Sequence, residues 1–360
     1  MRRSKKSRGR RWAAVFICAL LYSLVFPVLS GRELFLLPAW TTAADAEPSP
    51  QADGEDDFAF RLSGLIGYAD SRGRLLYREK LIYGAALHPE YFINYPSVPL
   101  NLLVRGKTGE FTGSIEASGY PFIKKNNLFV ISPDGYGLSR YEPDGRLVWE
   151  KKFPSLITSA DSGKGATVVG LLSGGAAVLS EDGVLLHEAA PLSGDSVSLQ
   201  AGMAADGGHF ALVIGGSSLG LSLFARQEGG YLPVYSAPLS GSYRRVLAAK
   251  YFSSPDFFIF EQPAGAGFFD VEKRRLFDVE LSGQLASVAD QRVEGLFFTL
   301  SREEEKLYGS AFLPDGNRVF EFSFPHSFTG GDASYFLHAA ENYFILGSGG
   351  RLYRIDVRIN

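Results

Sequence analysis

Short apolar runs bounded by turn residues recur along most of the chain and predict β-strands. From residue 58 onward no stretch shows the period of an amphipathic helix. The strongest runs are rich in aromatic and β-branched residues, which favour strands. Seven of them, spaced about 42 residues apart on average, occupy residues 91–95, 128–132, 166–172, 209–215, 257–262, 295–300 and 343–348. The pattern predicts an all-β protein built from a repeated unit.

A second class of run opens with a turn residue and then alternates apolar with polar positions. Three of its seven members begin near Gly109, Gly230 and Lys273. The other four place an aromatic ring four residues after a glycine, in the pairs Gly73/Tyr77, Gly145/Trp149, Gly183/His187 and Gly316/Phe320. Six of the strong apolar runs are followed by a member of this class, so each repeat holds both kinds of strand.

The order of the two classes predicts how the repeats are arranged. The run at 343–348 has no partner downstream, and the run after Gly73 has none upstream. A repeat of about 40–45 residues with four strands is typical of a β-propeller, whose ends share one blade. We therefore predict a seven-bladed propeller over residues 58–360, with N- and C-terminal strands closing one blade. Six or eight blades are the alternatives.

Five Asp-Gly pairs lie between the strand runs, where tight hairpins need a residue that tolerates positive φ. No Asp-x-Asp-x-Asp array surrounds them, so hairpins are favoured over calcium loops. The pairs are Asp134-Gly135, Asp144-Gly145, Asp182-Gly183, Asp206-Gly207 and Asp315-Gly316.

The N-terminal region has a different composition. Residues 1–11 carry seven bases, and residues 12–30 carry no charge. Nineteen helical residues span roughly 28 Å, close to the thickness of a bilayer core. We predict a basic cytoplasmic segment and then a single transmembrane signal-anchor, with a cleaved signal peptide as the alternative. By the positive-inside rule the propeller would lie on the periplasmic side of the cytoplasmic membrane.

Two further features belong to this region. Cys18 lies within the apolar run, which continues for ten residues beyond it, and this disfavours a lipidated cysteine. Residues 31–57 are acidic in their second half and contain prolines, so they predict an extended linker.

Charge and cysteine content exclude several classes of function. The net charge is −3, but without the seven N-terminal bases 29 basic residues remain against 39 acidic ones. Such an acidic body argues against nucleic-acid binding, which needs clustered Lys and Arg. A single cysteine can form neither an internal disulfide nor a thiolate metal cluster.

Residues 126–153 carry a resemblance to a known superfamily. There a strand leads through a dipeptide turn to a second strand and then to a strand of the form Gly-x-x-x-Trp, ending at Trp149. This resembles the repeat of PQQ-like (quinoprotein-like) and WD40-like β-propellers. The resemblance implies a rigid ring with a binding face, which members use for catalysis or for protein assembly. Quinone-dependent members carry a vicinal disulfide, which this chain cannot form.

Isolated motifs do not indicate an enzyme. The Gly-x-Ser-x-Gly match at residues 216–220 joins two strand-like runs, whereas a nucleophile elbow requires a following helix. The Gly-Lys-Gly at residues 163–165 lacks the remainder of a phosphate-binding loop. No histidine pairs at metal-ligand spacing with another ligand; the five are His88, His187, His209, His326 and His338. We assign no catalytic, cofactor-binding or metal-ligating residue.

The sequence therefore favours a non-enzymatic scaffold. We expect a membrane-tethered propeller that binds protein partners in the bacterial cell envelope, without a cofactor and without nucleic acid. One alternative is binding of a small ligand or glycan at the mouth of the central channel. A hydrolase or lyase acting in that channel is a further alternative. A scaffold should expose an apolar or aromatic patch on its rim, and an enzyme should cluster ionisable groups at one end of the channel.

Overall fold

The computed structural model describes residues 34–49, 56–191, 194–243, 245–254, 256–263, 265–325 and 335–359. All its regular elements are strands, 31 in the described residues. They form eight antiparallel sheets, seven with four strands and one with three. The chain forms these sheets because the aromatic and β-branched side chains of the apolar runs favour strands and fill the space between facing sheets.

The strands are numbered in chain order and grouped into eight blades. Blade 8 combines β1 (Leu34–Ala43) with β29 (Tyr335–Ala339), β30 (Tyr343–Ser348) and β31 (Arg351–Ile359). Blade 1 contains β2 (Phe58–Leu62), β3 (Leu65–Ala69) and β4 (Leu75–Lys80). Blade 2 contains β5 (Gly84–Leu87), β6 (Tyr91–Tyr95), β7 (Leu102–Gly106) and β8 (Phe111–Ile115). Blade 3 contains β9 (Tyr120–Lys124), β10 (Asn127–Ile131), β11 (Gly137–Tyr141) and β12 (Leu147–Lys152).

The remaining blades follow the same order. Blade 4 contains β13 (Ile157–Gly163), β14 (Ala166–Leu171), β15 (Ala176–Ser180) and β16 (Leu185–Ala189). Blade 5 contains β17 (Val197–Met203), β18 (His209–Gly215), β19 (Leu219–Gln227) and β20 (Gly230–Leu239). Blade 6 contains β21 (Ala249–Phe252), β22 (Phe257–Gln262), β23 (Gly265–Asp270) and β24 (Arg275–Glu280). Blade 7 contains β25 (Gln284–Val288), β26 (Phe297–Glu303), β27 (Lys306–Phe312) and β28 (Arg318–Pro325).

Neighbouring blades pack face to face, and the hydrophobic core lies between them rather than at one centre. One cluster joins blades 5 and 6 through Leu221, Phe258 and Phe269, all essentially inaccessible to solvent. Another joins blades 7 and 8 through Phe298 and Phe344, whose ring centroids are 4.8 Å apart. The first strands of successive blades contact one another, so they form the inner ring around the channel.

The Gly-x-x-x-aromatic pattern has a direct structural explanation. The glycine lies in the hairpin before an outer strand, and at Gly73 and Gly183 an aromatic ring from the preceding blade covers it. Gly73 has φ +81°, and a Cβ there would lie 2.7 Å from the ring of Trp40 in β1. Gly183 has φ +77°, and a Cβ there would lie 2.7 Å from the ring of Trp149 in β12. Glycine is therefore required both by the turn and by the close approach of the ring.

The prediction of seven blades is wrong, because the structure has eight. The seven strong apolar runs lie on the second strands of the seven four-stranded blades, β6, β10, β14, β18, β22, β26 and β30. Blade 1 contains none of them. The sequence pattern places the strand after Gly73 in the blade of residues 343–348, but that strand, β4, belongs to blade 1.

The strand that completes blade 8 comes from the region assigned to the linker. Strand β1 pairs with β31 over its full length, from Leu34↔Ile359 to Ala43↔Arg351, with one irregularity between Pro38 and Trp40. Apolar residues in β1 contact the core between blades 7 and 8. Residues 44–49 and 56–57 lie outside the sheets, whereas residues 34–43 form a strand of blade 8.

The transmembrane helix predicted over residues 12–30 lies outside the described residues. In the part of the chain that the structure describes, no helix has the length and apolar character needed to cross a bilayer. The predicted localisation as a single-pass protein of the cytoplasmic membrane, with the propeller on the periplasmic side, therefore finds no support and is withdrawn.

Candidate functional site

The loops that follow the inner strands of blades 2 to 8 meet at one end of the channel, here called the upper face. Backbone contacts join them around the ring: Lys164 N–H donates to Ala205 O at 2.7 Å, and Glu294 N–H donates to Glu341 O at 2.9 Å. Ala205 N–H also donates to Ser253 Oγ at 2.8 Å. Side chains at the ends of different inner strands are thereby brought close together.

Ionisable groups collect at this face. Asp290, at the end of blade 7's inner strand, lies 2.9 Å from His338 Nδ1 of blade 8 and accepts the Ala339 N–H at 2.8 Å. Burial alone would raise the pKa of Asp290, but the hydrogen bond and charge of His338 outweigh it and lower that pKa. Burial and the charge of Asp206 raise the pKa of Asp256, and His209 lies 3.8 Å from its carboxylate.

A cavity of about 170 Å³ opens in the channel wall near the upper face. Lys125 Nζ donates to Met203 O at 3.0 Å, and Asp161 Oδ2 accepts the Met203 N–H at 2.8 Å. Its lining comes from blades 3 to 6 and includes Lys124, Lys125, Asp161, Gln200, Lys250 and Tyr251. Burial lowers the pKa of Lys125, and the charge of Lys250 adds to this effect.

The opposite end of the propeller, the lower face, carries exposed apolar side chains. The lower-face patch is defined by four residues from two loops of blades 1 and 2, which are between 59% and 70% exposed: Ile82, Tyr83, Val98 and Leu100. Hydrogen bonds fix these loops: Ile82 N–H donates to Asn94 Oδ1 at 3.0 Å, and Gly119 N–H donates to Pro99 O at 3.3 Å. The patch is therefore presented by an ordered framework.

A groove of about 290 Å³ lies beside this patch and shares Ile82 with it. Phe92 and Leu103 contribute apolar walls. Glu79 lies at its polar end, where it accepts hydrogen bonds from Asn94 Nδ2 at 2.6 Å and from Tyr77 Oη at 2.7 Å. The Arg105 guanidinium lies 3.6 Å from the same carboxylate. The groove is thus apolar along one side and charged along the other.

The histidines noted in the sequence contact neighbouring side chains where the structure describes them. His187 lies among the rings of Phe210, Phe224 and Tyr231, at centroid distances of 6.0–6.3 Å. His88 stacks on Tyr91 at 4.5 Å. His326 lies outside the described residues. No group of three or more His, Cys, Asp or Glu side chains is placed to hold a metal within the described ranges.

The remaining motifs lie in turns between strands. Residues 216–218 form the hairpin between β18 and β19, so no helix follows the serines of the Gly-x-Ser-x-Gly match. Lys164 and Gly165 form the turn between β13 and β14. The patch on the lower face was missed because its loops are distant in sequence. Its one signal is the apolar Val98 and Leu100 around Pro99, since loops are usually polar.

Comparisons with known proteins agree with this architecture. A family described as "beta-propeller protein" matches residues 1–359. The crystal structure of BamB from Moraxella catarrhalis is similar, with 13% identity and a TM-score of 0.57, covering 89% of this chain and 100% of that one. That of Sqt1 from Saccharomyces cerevisiae has 13% identity and a TM-score of 0.59, covering 82% and 90%. No curated protein matches.

At such identities the solved structures establish the fold alone. The predicted resemblance to PQQ-like and WD40-like propellers is confirmed by the family match together with these two structures. The chain belongs to the β-propeller protein family.

Proposed function

We propose that this protein is a non-enzymatic binding scaffold whose lower-face patch receives a segment of a partner protein. The observation that carries the proposal is the grouping of Ile82, Tyr83, Val98 and Leu100 on neighbouring, hydrogen-bonded loops. Single exposed apolar residues are ordinary, but a contiguous set beside a groove marks an interaction surface. Propellers present such loops on a rigid ring, which limits the entropy lost on binding.

The groove beside the patch indicates the chemistry of the partner. An extended segment can place one apolar side chain against Ile82 and Leu103 while its neighbours cross the patch. A groove of about 290 Å³ holds less than one turn of an α-helix, a cylinder about 10 Å wide and 5.4 Å long that fills about 420 Å³. The Glu79–Arg105 pair at the polar end suits a segment that carries charged or polar residues next to its apolar one. We therefore assign an extended, mixed apolar and charged segment as the occupant.

Site-specific photocrosslinking tests this proposal in cells. A photoreactive residue would replace Val98 in one full-length protein and Val184 in another, since Val184 is 61% exposed but lies on blade 4. We expect a crosslinked partner from position 98 alone. The substitutions Ile82→Ser and Leu100→Ser should each abolish that product, while Phe111→Ser on the outer strand of blade 2 should leave it unchanged.

Two results would overturn the proposal. Equal products from positions 98 and 184 would mean that the contact is not specific to the patch. A crosslinked homodimer from position 98, matched by a dimer in sedimentation, would show that a second copy of this chain covers the patch. Once a partner is known, each serine substitution should weaken its affinity by about 10- to 150-fold, because one buried apolar side chain contributes roughly 1.5–3 kcal/mol.

A further inference from the structure

The cavity on the upper face has a cationic wall that the proposed function does not use. Lys125 and Lys250 line it, and no ion pair within 4.0 Å reaches either lysine in the part of the chain that the structure describes. Elsewhere bases near the core are paired, as Arg245 is with Glu261. Two unpaired ammonium groups that face one cavity in an acidic protein indicate a binding role.

The neighbouring acids do not neutralise this wall by direct contact. Asp161 is the one carboxylate in the cavity lining, and its Oδ2 already accepts the Met203 N–H. Asp206 and Asp256 act on Lys125 from a longer range, and Asp290 is held by His338. Lys125 is oriented by its bond to Met203 O, which leaves two of its three ammonium hydrogens for a ligand.

The geometry points to a small oxyanion, a phosphate or carboxylate group, bound in this cavity between Lys125 and Lys250. A volume of about 170 Å³ corresponds to about five water molecules at ~30 Å³ each, so inorganic phosphate or a small dicarboxylate fits. The Gln200 amide in the lining supplies a further neutral donor. An anion placed there relieves the repulsion between the two lysines. This site lies at the end of the propeller opposite the lower-face patch, so it does not depend on the proposed partner.

Calorimetry and thermal unfolding of the purified full-length protein test the inference. The probes are inorganic phosphate, pyrophosphate and succinate, each compared with sodium chloride of equal ionic strength. We expect saturable heat and a rise in Tm with at least one oxyanion and none with chloride. A response to phosphate alone would assign a phosphate ligand, and a response to succinate would assign a carboxylate.

Lysine variants locate the bound ion. Lys125→Gln and Lys250→Gln should each weaken binding by about tenfold or more, the usual effect of losing a charge-assisted hydrogen bond. Lys306→Gln, in an exposed hairpin of blade 7, should bind as the unsubstituted protein does. Unchanged far-UV circular dichroism and ligand-free Tm would show that the variants fold. No saturable binding of any probe at about 10 mM, a concentration far above typical Kd values, or equal binding by all three variants, would overturn the inference.

Discussion

The buried Arg245–Glu261 pair provides the sharpest test of what stabilises the ring. Glu261, on the second strand of blade 6, is 0% exposed, and both of its carboxylate oxygens accept from Arg245. Gln284 Nε2 of blade 7 also donates to it at 2.8 Å, and Ala248 N–H donates at 3.3 Å. The carboxylate therefore joins two blades and depends on one cation for its charge.

The substitution Arg245→Met removes that cation and keeps most of its apolar length. Breaking a buried ion pair from one side costs about 3–5 kcal/mol, because an uncompensated charge remains in the interior. The Arg245 side chain is 46% exposed, so solvent screens part of the interaction and the lower end applies. Two neutral donors still face the carboxylate. We expect a loss of about 3 kcal/mol in the free energy of unfolding.

A second substitution separates the charge from the packing. In Arg245→Met with Glu261→Gln the buried group is neutral, and its single amide oxygen can accept the shorter hydrogen bond, from Gln284. The weaker 3.3 Å contact with Ala248 N–H is lost, so at least about 1 kcal/mol should be recovered. Arg318→Met is the matched control. Arg318 is 45% exposed, but its partner Glu321 is 25% exposed rather than buried, so the cost should be at most about 1 kcal/mol.

Urea unfolding followed by tryptophan fluorescence and circular dichroism measures these differences, provided that the m-values of the variants agree. The reasoning fails if Arg245→Met costs no more than Arg318→Met. It fails equally if the double variant is as unstable as the sum of its single substitutions, because the loss would then come from packing rather than from a stranded charge.

Three further predictions concern other positions. His187→Phe removes a buried Nε2 that has no hydrogen-bond partner in the described residues, and should raise the free energy of unfolding by about 1 kcal/mol. Burial lowers the pKa of His187, so the unfolded chain binds a proton first as pH falls. The gain measured by urea unfolding should therefore be larger at pH 5 than at pH 8. Asp256→Asn should raise Tm at pH 7 and have no effect near pH 3. The pKa of Asp256 is raised in the folded protein, so the group stabilises the fold below its unfolded pKa and loses that contribution as pH rises through the folded pKa. Trp40→Ala removes the indole that covers Gly73 and donates to Ser71 O at 2.9 Å. It should lower the free energy of unfolding by about 2 kcal/mol in the same urea assay. A loss below about 0.5 kcal/mol would show that β1 closes the ring without this side chain.

The repeat could be predicted because the second strand of each four-stranded blade is rich in aromatic and β-branched residues, as Phe257–Gln262 is. Blade 1 could not be predicted, because it has three strands rather than four and the repeat is therefore incomplete there. Its strand Leu65–Ala69 is apolar but short. The strand after Gly73 therefore paired, in the sequence pattern, with the run of residues 343–348, and one blade was lost from the predicted number.

The lower-face patch and the cationic cavity could not be predicted from the sequence, for a different reason. Val98 and Ile82 come from separate loops, and Lys125 and Lys250 from separate blades, so their proximity exists only after the ring closes. Composition did indicate that the chain is acidic outside its N-terminal region. A cavity lined by two lysines is unusual in such a protein and for that reason indicates a binding site. The sequence predicted only that a scaffold should expose an apolar patch on its rim; the residues of both surfaces required the register and order of the blades.

The pairing of β1 with β31 also sets the order of events during synthesis. About 300 residues separate the two strands, so at 5–20 residues per second β1 waits roughly 15–60 s for its partner. Blades 1 to 7 can assemble in sequence during that interval, each on the blade before it. Blade 8 cannot form until the last strand emerges, so interruption of translation at any earlier point leaves an open arc with an unpaired apolar edge. Such arcs are candidates for chaperone binding and degradation, because the ring stays open until β31 has been synthesised.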